Sequence, residues 1–96
     1  MKPRYQFDFT TKFKRDLKKI KKNVVDYMHA VSLLKTLEGK GVKGVPIRMR
    51  PHKLKGEYQD NWECHIKPDL LIIWFQIDED NVIKLVRIGS HSDLFK

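Results

Sequence analysis

The spacing of apolar residues divides the first third of the chain into a short strand and a helix. Residues 5–9 alternate aromatic and polar side chains, which is typical of a half-buried strand. Thr10 or Thr11 then offers a hydroxyl to cap a helix. Apolar residues recur at helical spacing after this cap: Phe13, Leu17 and Ile20. Lysine and arginine occupy most remaining positions up to residue 22, so the helix is narrow-striped and very basic.

A second helix is predicted from Val24 to about Glu38, because Asn23 interrupts the first pattern. Its apolar stripe is formed by Tyr27, Val31, Leu34 and Leu37, with Met28 and Ala30 alongside. Gly39 is the expected stop. The short connection between the two helices favours an antiparallel helical hairpin.

Residues 39–56 show neither a helical nor a strand period and are predicted to form a long loop. The segment contains four glycines, two prolines and six basic residues. Long loops without structure of their own are uncommon in compact domains and are often functional. The loop also contains His52.

The remaining apolar pattern predicts three strands joined by tight turns, at residues 57–67, 70–77 and 82–88. In the first of these, Trp62, Cys64 and Ile66 share one face, and Glu63, His65 and Lys67 share the other. The second strand is apolar on both faces, as expected at the centre of a sheet. Pro68-Asp69 and residues 78–81 are the turns.

This order predicts an α+β fold with a β-α-α-β-β-β arrangement, in one domain spanning residues 1–96. Both helices carry apolar stripes, so we expect them to pack on one face of an antiparallel-rich sheet. The opposite face would then be open, with His65 and Lys67 directed toward it. Because sheets twist, that face is expected to be concave and able to accept an extended chain.

Charge and composition point to a polyanionic partner. The formal net charge is +8 and the sequence pI is about 9.7, and such an excess attracts RNA, DNA, anionic membranes or acidic proteins. The single Cys64 fits a reducing compartment and is expected to be a buried thiol. No apolar run reaches the length of a membrane span or signal peptide. We therefore expect a soluble, cytoplasmic protein without a membrane partner.

Three of the four histidines fall outside the predicted helices, at His52, His65 and His91. Asp69 and Arg87 accompany them in a basic surround. Histidine exchanges protons near neutrality. Metal-independent RNA cleavage needs one group to deprotonate the 2′-hydroxyl, another to protonate the leaving 5′-oxygen, and cations to stabilise the phosphorane. The histidines could supply the base and the acid, and Arg87 with the basic surround could supply the cations.

Strand parity places Arg87, Gly89 and His91 on one face of the last segment. Gly89 lacks a side chain, which suits the floor of a groove or a bulge. Phe95 is either a packing anchor for the tail or a platform for a base. His29 lies inside the second predicted helix and is expected to lie outside the site.

A zinc site is an alternative arrangement for the same residues. His52, His65, Asp69 and His91 provide three nitrogens and one oxygen. No pair of ligands has the short spacing of structural zinc sites, and Cys64 has no second cysteine. We therefore expect no metal and no cofactor.

Three segments together resemble a known family: HKLKG at 52–56, CHIKPDL at 64–70 and RIGSHSDLF at 87–95. In this order and spacing the chain resembles the YafQ-type toxins of the RelE/ParE superfamily, which are small bacterial toxins of type II toxin–antitoxin systems. The resemblance extends over nearly the whole chain, since the predicted order of elements also fits. It implies a small RelE-like domain.

The resemblance also implies a function and the residues that carry it. The function is a ribosome-dependent endoribonuclease, or mRNA interferase, that halts translation. Its catalytic residues would be His52, His65, Asp69, Arg87, His91 and Phe95. The expected RNA-binding residues are Arg48, Arg50, Lys53, Lys55 and Lys67. The implied partners are mRNA, a cognate acidic antitoxin and, through the toxin–antitoxin complex, operator DNA.

Two other functions stay open at this point. Relatives in the same superfamily act on DNA gyrase, so the fold alone does not establish cleavage of RNA. A non-enzymatic, gyrase-directed binding module is therefore one alternative, and a general RNA-binding domain is another. The histidines favour the nuclease, because a protein that only binds has little need of them.

Overall fold

The computed structural model describes residues 3–95 and has the predicted α+β architecture. Its strands are β1 (Gln6–Phe9), β2 (His52–Lys53), β3 (Trp62–Lys67), β4 (Leu70–Ile77) and β5 (Val82–Gly89). Its helices are α1 (Thr11–Ile20), α2 (Val24–Lys40) and α3 (His91–Leu94). Short 3-10 turns occupy Gly41–Gly44, Ile47–Met49 and Gly56–Tyr58.

The five strands form one sheet in the order β1-β5-β4-β3-β2. The three pairs β2–β3, β3–β4 and β4–β5 are antiparallel, whereas β1 pairs with β5 in parallel. Helices α1 and α2 pack on one face, so the predicted hairpin over an antiparallel-rich sheet is confirmed. The core between the helices and the sheet contains the fully buried Phe13 and Leu37 from the helices and Ile72, Trp74 and Leu85 from the sheet.

Helix α1 begins where the sequence predicts, because the Thr10 hydroxyl accepts a hydrogen bond from the Phe13 amide at 3.1 Å. Phe13 and Ile20 are buried, and Leu17 packs against the same core. The basic residues of the helix are exposed. The acidic Asp16 is buried instead and faces β5.

Helix α2 differs from the prediction in its buried face and its end. Its buried residues are Ala30, Leu33 and Leu37, whereas Met28 is exposed. The predicted stripe therefore missed Leu33 and wrongly included Met28. The helix continues past Gly39 to Lys40, and Gly41 ends it with a φ of 63°. A left-handed conformation of this kind is easily adopted by glycine, which explains why Gly41 rather than Gly39 is the stop.

The prediction of an unstructured loop over residues 39–56 is wrong. The segment contains two 3-10 turns and strand β2, which pairs with β3 at the sheet edge. The strand predicted from residue 57 begins only at Trp62. Residues 54–61 close a tight connection, in which the Leu54 amide donates to the Asn61 carbonyl and the Asp60 amide to the Leu54 carbonyl.

Two register shifts interrupt the regular alternation of side chains along the strands. Beyond each shift, side chains lie on the sheet face opposite to the one that strict alternation predicts. The pairing of β3 with β4 shifts between His65 and Lys67, so Lys67 pairs with Leu70. The Lys67 ammonium lies 2.7 Å from the Asp26 carboxylate of α2, and the predicted shared face of His65 and Lys67 is wrong. The second shift lies in β5. Ile73 pairs with Arg87 and Trp74 pairs with Leu85, so Val86 has no partner and forms a bulge.

The sheet face opposite α1 and α2 is covered at its centre rather than open. Leu71 and Ile73 are fully buried there beneath Leu94 of α3, with Leu54 and Tyr58 packed alongside. Helix α3 also covers Gly89, since a Cβ there would lie 3.5 Å from Leu94. The bulge lies at Val86, so Gly89 is neither a bulge nor an exposed groove floor.

Helix lengths and hydropathy bear on membrane insertion. Within residues 3–95, no helix combines the length and the apolar character needed to cross a bilayer.

Candidate active site

Strand pairing places the candidate residues in two neighbouring rows across the sheet. In the first row, His52 of β2 lies opposite Glu63, Glu63 opposite Ile73, and Ile73 opposite Arg87. In the second row, His65 lies opposite Leu71, and Leu71 opposite Gly89. Neighbouring strands are about 4.8 Å apart, so the His65 and Gly89 backbones are separated by about 10 Å. His91 follows Gly89 by two residues.

Glu63 joins two of the histidines. The Nε2 atom of His52 lies 3.2 Å from Glu63 Oε1, and Nε2 of His65 lies 3.9 Å from the same oxygen. The other ring nitrogen of His52, Nδ1, is 2.7 Å from the Arg50 carbonyl oxygen. Glu63 is only 5% exposed, and its Oε2 has no hydrogen-bond partner among residues 3–95. A buried carboxylate oxygen without a partner is unusual, because its desolvation is uncompensated.

The second cluster is built on the turn before β4 and on α3. The Asp69 carboxylate accepts a hydrogen bond from the His91 backbone amide at 3.0 Å. Ser90 caps α3, and its hydroxyl accepts from the Asp93 amide. The rings of His91 and Phe95 are 4.9 Å apart, and Phe95 meets Tyr58 edge-on at 5.9 Å. Asp69 thus fixes the backbone of His91, and its carboxylate is not in hydrogen-bond contact with the His91 ring.

The contacts of Phe95 fit the first of the two functions predicted for it, a packing anchor, and its function as a platform for a base stays a prediction. Phe95 is 37% exposed, and its ring contacts His91 and Tyr58. Its packing therefore anchors the residues that follow β5. The prediction that one strand face carries Arg87, Gly89 and His91 is wrong, because β5 ends at Gly89 and His91 belongs to α3.

Arg87 is held at the edge of the sheet by Asp16 of α1. Its Nε and Nη2 atoms donate to Asp16 at 2.7 and 3.1 Å, and the Ile88 amide donates to the same carboxylate at 3.1 Å. The hydrogen bonds to Asp16 raise the pKa of Arg87 above its ordinary value, and the Tyr58 hydroxyl acts in the same direction. Arg87 is therefore a permanently charged cation in a fixed orientation.

The predicted RNA-binding residues occupy different environments. Arg48 and Arg50 line a surface cleft of about 430 Å³ together with His65. The Lys53 ammonium lies 5.5 Å from the centre of the Trp62 ring, and Lys55 is exposed. Lys67 is paired with Asp26. Arg48, Arg50 and Lys67 thus line the same cleft as His65.

The zinc arrangement considered from the sequence is divided between the two clusters. His52 and His65 adjoin Glu63, whereas Asp69 contacts the backbone of His91. Across residues 3–95, no three His, Cys, Asp or Glu side chains converge as a metal-binding group.

Three site residues were missed in the sequence. Glu63 was placed on the correct face but was not considered as a functional group, and Asp16 was hidden among the lysines of α1. Tyr58 was assigned to a strand and not to the site. The one available signal was Asp16, an acidic residue at the spacing of the apolar stripe Phe13, Leu17 and Ile20, which places a carboxylate toward the sheet.

Comparison with known proteins identifies the family. A sequence profile described as the bacterial toxin of type II toxin–antitoxin systems, YafQ, matches residues 5–96. The chain therefore belongs to the YafQ family of type II toxins. Among curated protein sequences, none matches this chain.

Solved structures share the fold over nearly the whole chain. Escherichia coli YafQ superposes with a TM-score of 0.84 at 21% identity, covering 96% of this chain and 99% of that one. YafQ in the E. coli DinJ–YafQ toxin–antitoxin complex gives 0.83 at 22% identity, covering 97% and 99%. A metal-bound toxin from Helicobacter pylori gives 0.80 at 35% identity, covering 95% and 99%.

Proposed function

We propose that this toxin is an endoribonuclease that cuts mRNA on the ribosome by histidine-based proton transfer. The observation that supports the proposal is the division of the candidate residues into two histidine clusters built on neighbouring parts of one sheet. His65 with His52 forms one cluster, and His91 with Phe95 forms the other. Cleavage of RNA needs two proton-transfer groups that act on opposite sides of one phosphate.

The roles follow from what each group can donate or accept. One histidine removes the proton from the 2′-hydroxyl, whose oxygen then attacks the phosphorus. A second histidine protonates the leaving 5′-oxygen. Arg87 stabilises the charge on the phosphorane oxygens, because it is always protonated and rigidly oriented. Phe95 stacks on a base and positions the nucleotide. Asp69 holds the backbone of His91 in place.

The surrounding charge supports binding of RNA. The net charge of +8 attracts a polyanion, and Arg48 and Arg50 are exposed beside His65. Lys53 and Lys55 are exposed and free to contribute. Lys67 contributes less than expected, because Asp26 already neutralises it.

A cognate antitoxin of acidic composition is the proposed protein partner. YafQ forms a complex with DinJ in E. coli, and the charge of the present chain is complementary to an acidic protein. In this proposal the antitoxin neutralises the toxin, and the complex binds operator DNA. The site of action is the cytoplasm, where ribosomes and mRNA meet.

The test is cleavage of mRNA by purified protein, with and without ribosomes, read as mapped 5′ ends. His65→Ala and His91→Ala should each lower the cleavage rate by about 10²- to 10⁴-fold, the usual contribution of an acid or base. His29→Ala is the matched control, because His29 is an exposed histidine of α2 and should leave the rate unchanged. Wild-type rates in both site variants would refute the assignment.

Two further arms separate the alternatives. Cleavage in the presence of EDTA supports proton transfer without a metal, whereas loss of cleavage with EDTA and its recovery with added metal contradicts it. This arm matters because the H. pylori relative is described as metal-bound. A gyrase supercoiling assay tests the binding module, since inhibition of gyrase without RNA cleavage would favour that function.

A further inference from the structure

We infer that Tyr58 is a positioning residue of the site, which fixes Arg87 and Phe95 relative to each other. The inference rests on the proposed function for its catalytic part, in which Arg87 binds the phosphate and Phe95 contacts a base. Its structural basis is the place of the Tyr58 ring. The ring meets Phe95 edge-on and packs against the buried cluster that contains Ile73, the cross-strand partner of Arg87.

The backbone of Tyr58 is held by a closed turn. Tyr58 ends the 3-10 turn Gly56–Tyr58, where the Gln59 amide donates to the Gly56 carbonyl at 3.1 Å. The Asn61 amide donates to the Tyr58 carbonyl at 3.0 Å. Gly56 and Asp60, which flank these residues, have left-handed φ angles of 77° and 67°, as is typical of tight turns. The position of the half-buried Tyr58 side chain is therefore set by the turn and by the sheet below it.

The ring of Tyr58 restricts the orientation of Phe95. Their centroids are 5.9 Å apart and their planes are at 90°, which is a favoured arrangement of two aromatic rings. The His91 ring lies 4.9 Å from Phe95, with the planes at 37°. His91 belongs to the same short segment as Phe95, whereas Tyr58 comes from the connection between β2 and β3. Tyr58 thus ties Phe95 to a part of the chain that is distant in sequence.

The hydroxyl of Tyr58 acts on Arg87. Tyr58 packs against the cluster of Leu71, Ile73 and Leu94, and Ile73 lies directly opposite Arg87 in the pairing of β4 with β5. Hydrogen bonding to Asp16 and, to a smaller extent, to the Tyr58 hydroxyl raises the pKa of Arg87. Asp16 belongs to α1 and Tyr58 to the turn before β3. The guanidinium is therefore held by two separate parts of the chain.

Holding the guanidinium from two directions determines which of its edges faces a ligand. An arginine side chain presents its N–H groups in a rigid planar fork. Asp16 accepts from Nε and Nη2, and the Tyr58 hydroxyl interacts with the same group. The N–H groups that remain are the ones available to a phosphate, and both contacts limit the rotation of the guanidinium about its stem.

The two contacts make Tyr58 a link between the phosphate and the base. In the proposed reaction Arg87 stabilises the phosphorane and Phe95 stacks on a base of the same strand. A fixed separation of these two side chains selects which phosphate lies between the histidines. Displacement of a reacting group by about 1 Å can lower a rate on the order of 100-fold. Tyr58 itself transfers no proton in this arrangement.

Two variants separate the hydroxyl from the ring. Tyr58→Phe keeps the ring against Phe95 and removes the hydroxyl. Its single-turnover cleavage rate should fall on the order of 10-fold, while RNA affinity and the mapped positions of the cuts stay as in the wild type. Tyr58→Leu also removes the ring, so the mapped 5′ ends should spread to neighbouring phosphates.

The matched controls are Tyr27→Phe and Tyr27→Leu. Tyr27 is a half-buried tyrosine of α2 that packs against the core on the helix side of the sheet, and both controls should keep the rate and the cut positions. A wild-type rate in Tyr58→Phe would overturn the inference, and so would wild-type cut positions in Tyr58→Leu. A residue with only a structural role would lower rate and affinity together and leave the cut positions in place.

NMR tests the structural part without RNA. The guanidinium protons of Arg87 should exchange with water faster in Tyr58→Phe than in Tyr27→Phe. The ring signals of Phe95 should shift in Tyr58→Leu and stay in place in Tyr27→Leu. Equal Arg87 exchange and equal Phe95 shifts in the two sets of variants would refute the link. If the wild type does not cut RNA, the proposed function fails, and this comparison still decides whether Tyr58 orients the two side chains.

Discussion

Removing the carboxylate of Asp16 should strongly destabilise the protein. In Asp16→Ala, the Arg87 guanidinium loses both hydrogen bonds to this carboxylate and the Ile88 amide loses its acceptor. Strand β1 pairs with β5 only up to Leu85, so no strand on the β1 side is available to accept from the Ile88 amide, and β4 lies on the other side of β5. The variant therefore leaves a partly buried guanidinium without its counter-charge and a buried backbone amide without its acceptor.

The size of the loss follows from the burial of the pair. Breaking a buried ion pair by removing one partner costs about 3–5 kcal/mol. The Arg87 side chain is 17% exposed and Asp16 10%, so water can compensate in part. We expect a loss of about 3 kcal/mol in the free energy of unfolding, toward the lower end of that range. For a domain of this size the midpoint of thermal unfolding should fall by roughly 12 to 24 °C.

Urea and thermal unfolding followed by circular dichroism measure this loss. The control is Asp8→Ala, which removes an exposed carboxylate from β1 and should change the stability by less than about 0.5 kcal/mol. In a double-mutant cycle, Asp16→Ala and Arg87→Ala together should cost clearly less than the sum of the two single changes. A loss below about 1 kcal/mol in Asp16→Ala, or strict additivity in the cycle, would refute the reasoning.

Two other predictions concern the core and the helix end. Burial raises the pKa of the Cys64 thiol to about 12, so native protein at pH 8 should resist iodoacetamide, which should modify the thiol only in urea. Because the unfolded thiol ionises first, stability should also fall above about pH 9, as a pH series of urea midpoints would show. Gly41→Ala should lower the free energy of unfolding by about 1 to 3 kcal/mol, since φ is 63° and a Cβ would lie 2.7 Å from Gln76. Gly39→Ala is the control and should not lower it, because no atom lies within 4 Å of a Cβ at that position. Equal urea midpoints for the two glycine variants would contradict the strain argument.

The sequence predicted the elements that depend on local signals. Strand β4 has the predicted bounds, and α1 starts after the predicted cap at Thr10. These elements were predictable because periodicity and capping act over a few residues. The family resemblance came from short segments in a fixed order, and the family match confirms it.

The features that the sequence did not reveal depend on contacts distant along the chain. Alternation along β3 predicted the wrong sheet face for Lys67, because the register shift depends on pairing with β4 and the Lys67 ammonium contacts Asp26 of α2. Residues 39–56 were predicted to be unstructured because β2 is defined by its pairing with β3 and has no pattern of its own. Glu63 became notable only when its contacts to two histidines were known. The roles of the candidate site residues therefore stay predictions until the variants are measured.

The parallel pairing of β1 with β5 has a consequence for how the protein folds. The first strand cannot take its place until the last strand has formed, and the contact between Asp16 and Arg87 spans 71 positions along the chain. Closing such long loops costs entropy before the contacts stabilise the chain, so folding should be slower than in a helical bundle of equal size. Because Arg87 becomes fixed only when these distant segments meet, a partly folded chain would lack its oriented cation.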